Sequence, residues 1–125
     1  MVMIAEGCDV ADGKATAIAD ASESNLFYDA ALQGVPAFAA LEYMAQTMAF
    51  AVGARARRNG GEPKIGYILG SRRLETKLPV FRRDTRYLVR AECEFTDEEY
   101  ASFDCTITDP SGAVVASAAL TAFQP

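Results

Sequence analysis

The sequence predicts an α+β fold in which an antiparallel sheet curls around one long helix. The helical stretch, Gly34 to Arg58, is apolar on nearly every side and lies between a predicted hairpin and several alternating strands. A helix of this kind must be covered by the rest of the protein, and a curled sheet provides that cover. With 125 residues the chain has room for one hydrophobic core, so we predict a single domain over residues 1–125.

Turn and helix-start signals predict the first elements. Two short strands, Ala5–Val10 and Lys14–Asp20, flank Asp12-Gly13, a dipeptide typical of two-residue hairpin turns. A loop over Ala21–Gln33 follows. Pro36 then suits the first turn of the helix, because its missing N–H would have no intrahelical partner there.

The predicted helix ends near Arg58, where basic side chains favour the negative end of the helix dipole and Asn59-Gly60-Gly61 stops the helix. Beyond it the periodicity becomes that of strands. Thr85–Phe95 alternates apolar and charged residues, which predicts a strand with one wet face. A turn over Asp109-Pro110-Ser111-Gly112 precedes the last strand. The full set of candidate strands after the helix is Ile65–Leu69, Leu74–Leu78, Thr85–Phe95, Tyr100–Thr108 and Ala113–Phe123.

Charge is distributed unevenly along the chain. The net charge is −5, yet eleven of the twelve basic residues lie between positions 55 and 90, so that segment carries +8 while residues 1–54 carry −6 and 91–125 carry −7. A basic band on an acidic protein indicates a local anionic partner rather than nucleic acid. The alternative is that these side chains cap the helix and line solvated strand faces. The candidates for docking an anionic partner are Arg72, Arg73, Arg82 and Arg83.

Several classes of protein are disfavoured. The stretch Val35–Ala54 is long enough to span a bilayer, but Pro36, Glu42 and Gln46 within it argue against a membrane span. No segment has the pattern of a signal peptide, and no C-x-x-C pair indicates a metal or redox site. Cys93 and Cys105 fall on apolar strand faces, as core residues in a reducing cytoplasm do, so we predict a cytoplasmic protein without a bound metal.

Glu42 and Gln46 are the polar exceptions within the apolar helix. Their spacing of four residues places both side chains on one helical face, one turn apart. Removing a carboxylate from water is costly unless it is paired, hydrogen-bonded or protonated. Glu42 is therefore either a satisfied structural group or a poised acid or base.

The helix motif resembles that of the hotdog-fold 3-hydroxyacyl-(acyl carrier protein) dehydratases, in which P-G-V-x-x-x-E-x-M-A-Q supplies the catalytic carboxylate. Similarity is greater still to the dehydratase-like proteins of aryl polyene biosynthesis clusters. It covers most of the chain, through Gly34-Val35-Pro36-Ala37, Glu42-Tyr43-Met44-Ala45-Gln46, Lys64-Ile65-Gly66, Leu69-Gly70-Ser71-Arg72-Arg73 and Phe123-Gln124-Pro125. The resemblance implies a hotdog homodimer or higher oligomer, a substrate tunnel at the subunit interface and a thioester carried on phosphopantetheine of an acyl carrier protein.

The chain departs from these dehydratases in one respect that bears on chemistry. They pair the helix glutamate with a histidine from a G-H-F-P loop, and this sequence contains no histidine. Dehydration needs a base for the α proton and an acid for the departing hydroxyl. Glu42 can supply one of these, and Asp29 or Tyr28 is our candidate for the other. We assign substrate binding, with no part in proton transfer, to Gln46, Phe38 and Phe27.

Three functions remain open at this point. The first is a carrier-linked 3-hydroxyacyl dehydratase that uses Glu42 with a partner other than histidine. The second is a non-catalytic hotdog subunit that binds an acyl chain or partners an active dehydratase, in which case a second hotdog subunit is its partner. The third is a hotdog thioesterase in which the carboxylate activates water.

Overall fold

A computed structural model describes the backbone of residues 4–11, 14–58, 67–96 and 100–123, and the side chains of residues 14–49, 70–94 and 100–121. The described residues form eight strands and one long helix, α1 (Ala40–Arg58), which a 3₁₀ turn at Ala37–Ala39 precedes. The strands are β1 (Ile4–Ala11), β2 (Lys14–Ala19), β3 (Gly34–Pro36), β4 (Tyr67–Thr76), β5 (Val80–Arg82), β6 (Leu88–Thr96), β7 (Tyr100–Thr108) and β8 (Val114–Phe123).

Six of the strands form one antiparallel sheet in the order β1-β2-β6-β7-β8-β4, and β3 and β5 form a small second sheet. Helix α1 packs against β1, β2, β6, β7 and β8, so the large sheet curls around it. The α+β prediction is therefore confirmed, including the single helix at the centre of the sheet. The predicted hairpin is present as β1 and β2, while its turn at Asp12-Gly13 lies outside the described residues.

The core lies between one face of α1 and the inner face of the sheet. Tyr43, Met44, Thr47 and Met48 of the helix are buried there. Strand alternation supplies the other side, as predicted: the inward residues of the described part of β6 and β7 are buried or half-buried, and the outward charged ones are exposed. The inward set is Val89, Ala91, Cys93, Ala101, Phe103, Cys105 and Ile107, and Tyr87 is buried directly before β6.

The two cysteines predicted to face the core do so. Cys105 is buried, and Cys93 packs half-buried against the same cluster. Burial raises the pKa of the Cys105 thiol to about 12, which keeps it protonated and unreactive at neutral pH. Among the described residues no cluster of histidine, cysteine or carboxylate side chains could hold a metal ion, and no helix is long and apolar enough to cross a membrane.

The start of the helix is a correction to the sequence prediction. Pro36 does not lie in a helical turn; it ends β3, which pairs with β5, and α1 begins at Ala40 after the 3₁₀ turn. The strand β5, which directly follows Pro79, is absent from the strands that the sequence predicts. These two three-residue strands form because residues 34–36 pair with residues 80–82, which are distant in the sequence. The local pattern of residue types does not reveal such pairing.

The strands after the helix also differ from the prediction. The two segments expected on either side of Gly70 form one strand, β4, with register shifts at Ile68/Gly70 and at Arg72/Glu75. Arg73 has a φ of 55° within the second shift, so a bulge rather than a break accommodates the irregularity. The strand predicted from Thr85 begins only at Leu88, and it is an interior strand with β2 and β7 on either side. The edges of the large sheet are β1 and β4.

Gly34 is required where β3 meets β5. A Cβ at this position would overlap the carbonyl oxygen of Phe81 and lie 2.8 Å from Val80 Cγ1. We predict that Gly34→Ala lowers the free energy of unfolding by about 1–3 kcal/mol, because backbone cannot move aside cheaply. Gly70→Ala is the matched control, since a Cβ there meets nothing within 4 Å. Urea unfolding measures both variants, and equal stability of the two would contradict this account of Gly34.

Candidate functional site

A narrow stripe along α1 and the preceding turn faces away from the sheet. It contains Phe38, Glu42, Ala45, Gln46 and Ala49, which recur at helical spacing and are exposed or half-buried. Solvated helix faces are normally rich in charge, whereas this one has a single carboxylate among small and aromatic side chains. Phe38 is 70% exposed. Such a surface is typical of a face that another molecule covers.

Glu42 lies in the first turn of α1 and is exposed. It is therefore not a structural acid enclosed within the protein. Its Oε1 accepts a hydrogen bond from Gln46 Nε2 at 3.2 Å. The predicted placement of the two side chains on one face is therefore confirmed. The amide orients the carboxylate along the stripe, where a ligand can reach it.

Two aromatic residues extend the stripe toward the loop before the helix. The rings of Phe27 and Phe38 pack edge to face with their centroids 5.6 Å apart. Phe38 precedes Glu42 by four residues, so the pair continues the stripe by one turn. Leu26, next to Phe27, is 74% exposed. The structure thus brings all three residues assigned to substrate binding, Gln46, Phe38 and Phe27, to the surface that carries Glu42.

Asp29 and Tyr28, the candidate partners of Glu42, are engaged elsewhere. Asp29 Oδ1 accepts a hydrogen bond from the Ala31 N–H at 2.9 Å, and the Asp29 backbone pairs with Gly34. The Tyr28 side chain lies beside the Arg83 guanidinium, and its interaction with Arg83 is the largest of the effects that raise the pKa of Arg83 above its ordinary value. Within the described residues, no hydrogen bond joins Glu42 to either side chain.

A buried polar network, which the sequence analysis did not identify, holds this loop against the helix. Asn25 is buried, and its Nδ2 donates to the Asp20 carbonyl oxygen at 2.8 Å and to the Tyr43 hydroxyl at 3.3 Å. Tyr43 donates in turn to the same carbonyl at 2.7 Å. Asn25 Oδ1 accepts from the Phe27 N–H at 2.8 Å. Because Tyr43 follows Glu42 directly, the network determines where Phe27 lies relative to the stripe.

The four candidate docking arginines fall into two groups. Arg72 and Arg73 lie on the edge strand β4, and Arg73 lines a shallow cavity of about 260 Å³ with Glu75 and Asp104 on the outer face of the sheet. Arg82 and Arg83 lie at the end of β5, beside the loop that contains Tyr28. The two pairs thus belong to different sheets.

Acidic neighbours also surround Arg73. Asp104, through a hydrogen bond and its charge, raises the pKa of Glu94, and Arg73 opposes that rise. Arg73 therefore balances charge on the outer face of the sheet. Arg83 has a different environment: its backbone N–H donates to the Gln33 carbonyl oxygen at 3.0 Å, which attaches it to the loop before the helix.

The architecture and the helix carboxylate define the class of protein, a hotdog-fold protein. The chain of the dehydratase heterocomplex ApeI:P from Xenorhabdus doucetiae superposes with a TM-score of 0.85 at 21% identity, over 99% of this chain and 83% of that one. A hypothetical thioesterase from Streptococcus pneumoniae, solved with coenzyme A, gives 0.75 at 18% identity, over 96% and 84%. The PaaI protein of the E. coli phenylacetic acid degradation operon gives 0.70 at 10% identity, over 91% and 74%.

The family is more specific than the fold. The model of the ApeP-like family, described as ApeP dehydratase, matches residues 1–125, and this chain belongs to that family. The resemblance to the dehydratase-like proteins of aryl polyene clusters is thereby confirmed, and the protein is dehydratase-like. A search of curated protein sequences gives no significant match.

The buried network makes a prediction about stability and pH. Burial, and next the Asp20 charge, raise the pKa of Tyr43 well above its ordinary value. The folded protein therefore keeps this proton while an unfolded tyrosine loses it near pH 10, so the contribution of Tyr43 to stability falls as pH rises above about 10. Tyr43→Phe should cost about 1–2 kcal/mol near neutral pH, and the difference from the parent should shrink toward about pH 10.5.

Urea unfolding at both pH values measures this effect. Tyr100→Phe, on an exposed residue of β7, is the control and should leave both the stability and its pH dependence close to those of the parent. A deficit for Tyr43→Phe that stays constant between the two pH values would contradict the assignment of the alkaline loss to this hydroxyl.

Proposed function

We propose that this protein is one subunit of a dehydratase for 3-hydroxyacyl thioesters, with Glu42 as its catalytic carboxylate and a second hotdog subunit completing the site. The observation that carries the proposal is the position of Glu42: it is exposed, oriented by Gln46 and surrounded by apolar surface. A carboxylate needed only for structure would be enclosed by donors, and a carboxylate needed only for solubility would lie among other charges.

The chemistry requires two proton transfers. A base takes the α proton from C2, the C2–C3 double bond forms as the C3–O bond breaks, and an acid delivers a proton to the departing hydroxyl to give water. Glu42 can perform one of these transfers. The Asp29 carboxylate already accepts a hydrogen bond from the Ala31 N–H, Tyr28 interacts with Arg83, and the chain contains no histidine. The second proton-transfer group is therefore assigned to the neighbouring subunit.

Two further observations support a neighbouring subunit of different sequence. A second copy of this chain would again bring no histidine, whereas a different hotdog chain can supply one. One solved structure of this fold is a dehydratase heterocomplex.

The edge strand β4 offers a place to join sheets, because it pairs with β8 alone among the described strands and residues 70–77 are all exposed.

We assign the substrate to a phosphopantetheine arm on an acyl carrier protein, with no other cofactor, in the reducing cytoplasm that cysteines placed singly in a core, such as Cys105, favour. Carrier proteins that are acidic on their surface suit an arginine cluster. Arg82 and Arg83 are the better candidates for that contact, because they lie beside the Tyr28 loop, and that loop also carries Phe27 of the stripe.

The second candidate function is that of a subunit that binds an acyl chain or supports an active partner without performing chemistry. The absence of histidine favours it, because a lone carboxylate covers half of the required acid–base chemistry. In that case the stripe would serve as an interface or an acyl surface, and Glu42 would be dispensable for turnover.

The test measures hydration of a 2-enoyl thioester on phosphopantetheinylated carrier protein, with this protein alone and co-expressed with its second hotdog subunit. Glu42→Gln keeps shape and hydrogen bonding but removes the ionisable group. We expect it to reduce turnover by about 10²–10⁴-fold. Glu92→Gln, on an exposed carboxylate of the outer sheet face, is the matched control and should retain activity.

The alternatives have distinct outcomes in this assay. An active complex in which Glu42→Gln loses nothing would overturn the catalytic assignment and leave the supporting-subunit function. Release of free thiol in place of hydration would indicate a thioesterase.

A further inference from the structure

The surface around Arg83 contains a cleft, which we call the arginine cleft. One part of it, about 320 Å³, is lined by Ser22, Glu23, Ser24 and Arg83. A second part, about 360 Å³, is lined by residues of the 18–22 segment and of the turn from Arg83 to Arg86. Arg83 and Ser22 line both parts.

A carboxylate of the protein itself occupies Arg83. Glu23 Oε1 lies 2.9 Å from Arg83 Nη1, and the two residues are sixty positions apart in the sequence. Both side chains are largely exposed, 51% for Arg83 and 73% for Glu23. Ion pairs exposed to this extent are weak, so a carboxylate from another molecule can displace Glu23 at little cost.

Arg83 itself is held more firmly than its acidic partner. Its backbone N–H donates to the Gln33 carbonyl oxygen at 3.0 Å, and its side chain also lies beside Tyr28. Losing Glu23 would therefore leave the Arg83 backbone attached to the loop before the helix. The contacts continue from Tyr28 to its neighbour Phe27, which packs on Phe38, one turn before Glu42. A partner that binds at Arg83 is consequently positioned beside the stripe.

We infer that Glu23 is an internal competitor that occupies Arg83 until a carboxylate on the surface of an acyl carrier protein replaces it. The inference rests on the proposed function for the identity of the partner, and it narrows carrier docking from four arginines to the group at the end of β5. The pairing that the structure contains shows the chemistry that Arg83 accepts, which is a carboxylate. Arg83 also has a second acidic neighbour, Asp84, so what separates it from Arg73, which lines a cavity with Glu75 and Asp104, is its position beside the Tyr28 loop.

The test is a double-mutant cycle on carrier binding, measured by calorimetry at low ionic strength with the phosphopantetheinylated acyl carrier protein of the same organism. Glu23→Gln should tighten binding by about two- to five-fold, the worth of an exposed ion pair. Arg83→Gln should weaken binding, and in its background Glu23→Gln should have no further effect. Circular dichroism and urea unfolding verify that each variant is folded.

Two controls separate competition from general charge. Glu92→Gln changes the net charge by the same amount on the outer sheet face and should alter binding less than Glu23→Gln does. Arg72→Gln should weaken binding less than Arg83→Gln. Equal effects of the two glutamate variants, an effect of Glu23→Gln that persists without Arg83, or no carrier binding by the parent would each overturn the inference.

A final arm distinguishes the source of the anion. Carrier protein without its phosphopantetheine should show the same response to Glu23→Gln, because the inference assigns the contact to carrier carboxylates. A response confined to the phosphopantetheinylated form would overturn it in favour of the phosphate. The binding inference and the proposed function can be rejected separately. If the double-mutant cycle gives the expected result while Glu42→Gln retains full hydration activity, only the proposed catalytic function is rejected.

Discussion

Helix α1 has two faces that the fold treats differently, and the rest of the structure depends on that difference. One face is buried by the sheet through Tyr43, Met44, Thr47 and Met48. The opposite face carries the stripe that begins at Phe38, and the described part of the chain leaves Phe38, Glu42 and Ala49 of that stripe exposed. Exposed aromatic surface in water is unfavourable. The stripe therefore has the properties of a surface that another subunit and a substrate complete.

The polar network around Asn25 is the device that gives this surface a defined shape. It satisfies the donors and acceptors of Asn25 and Tyr43 within the core, and through the Phe27 N–H it fixes the loop that borders the stripe. The same loop contacts Arg83 through Tyr28. Substrate surface and docking surface are thus joined by one short segment, so that a partner bound at one is close to the other.

The sequence pattern was sufficient to predict where a side chain lies when its position depends only on the strand or helix that contains it. The alternation of β6 and β7 and the placement of Glu42 and Gln46 on one helical face follow from periodicity alone. The pattern was insufficient where contacts between residues distant in the sequence determine the local structure. The short strands β3 and β5 exist because Gly34 lets two backbones approach closely, and Asn25 becomes structural only because Tyr43 lies beside it.

The account's central claim is that a neighbouring subunit closes the stripe over a substrate that Glu42 contacts. A crystal structure of the assembled complex with an unreactive acyl-pantetheine amide tests it most directly. We expect the acyl chain to lie along Phe38 and Phe27, with the Glu42 carboxylate within hydrogen-bond distance of the substituents on C2 or C3 of the acyl group. An acid–base side chain of the other subunit should face Glu42. A complex that leaves Glu42 in solvent, with the acyl group bound elsewhere, would contradict it.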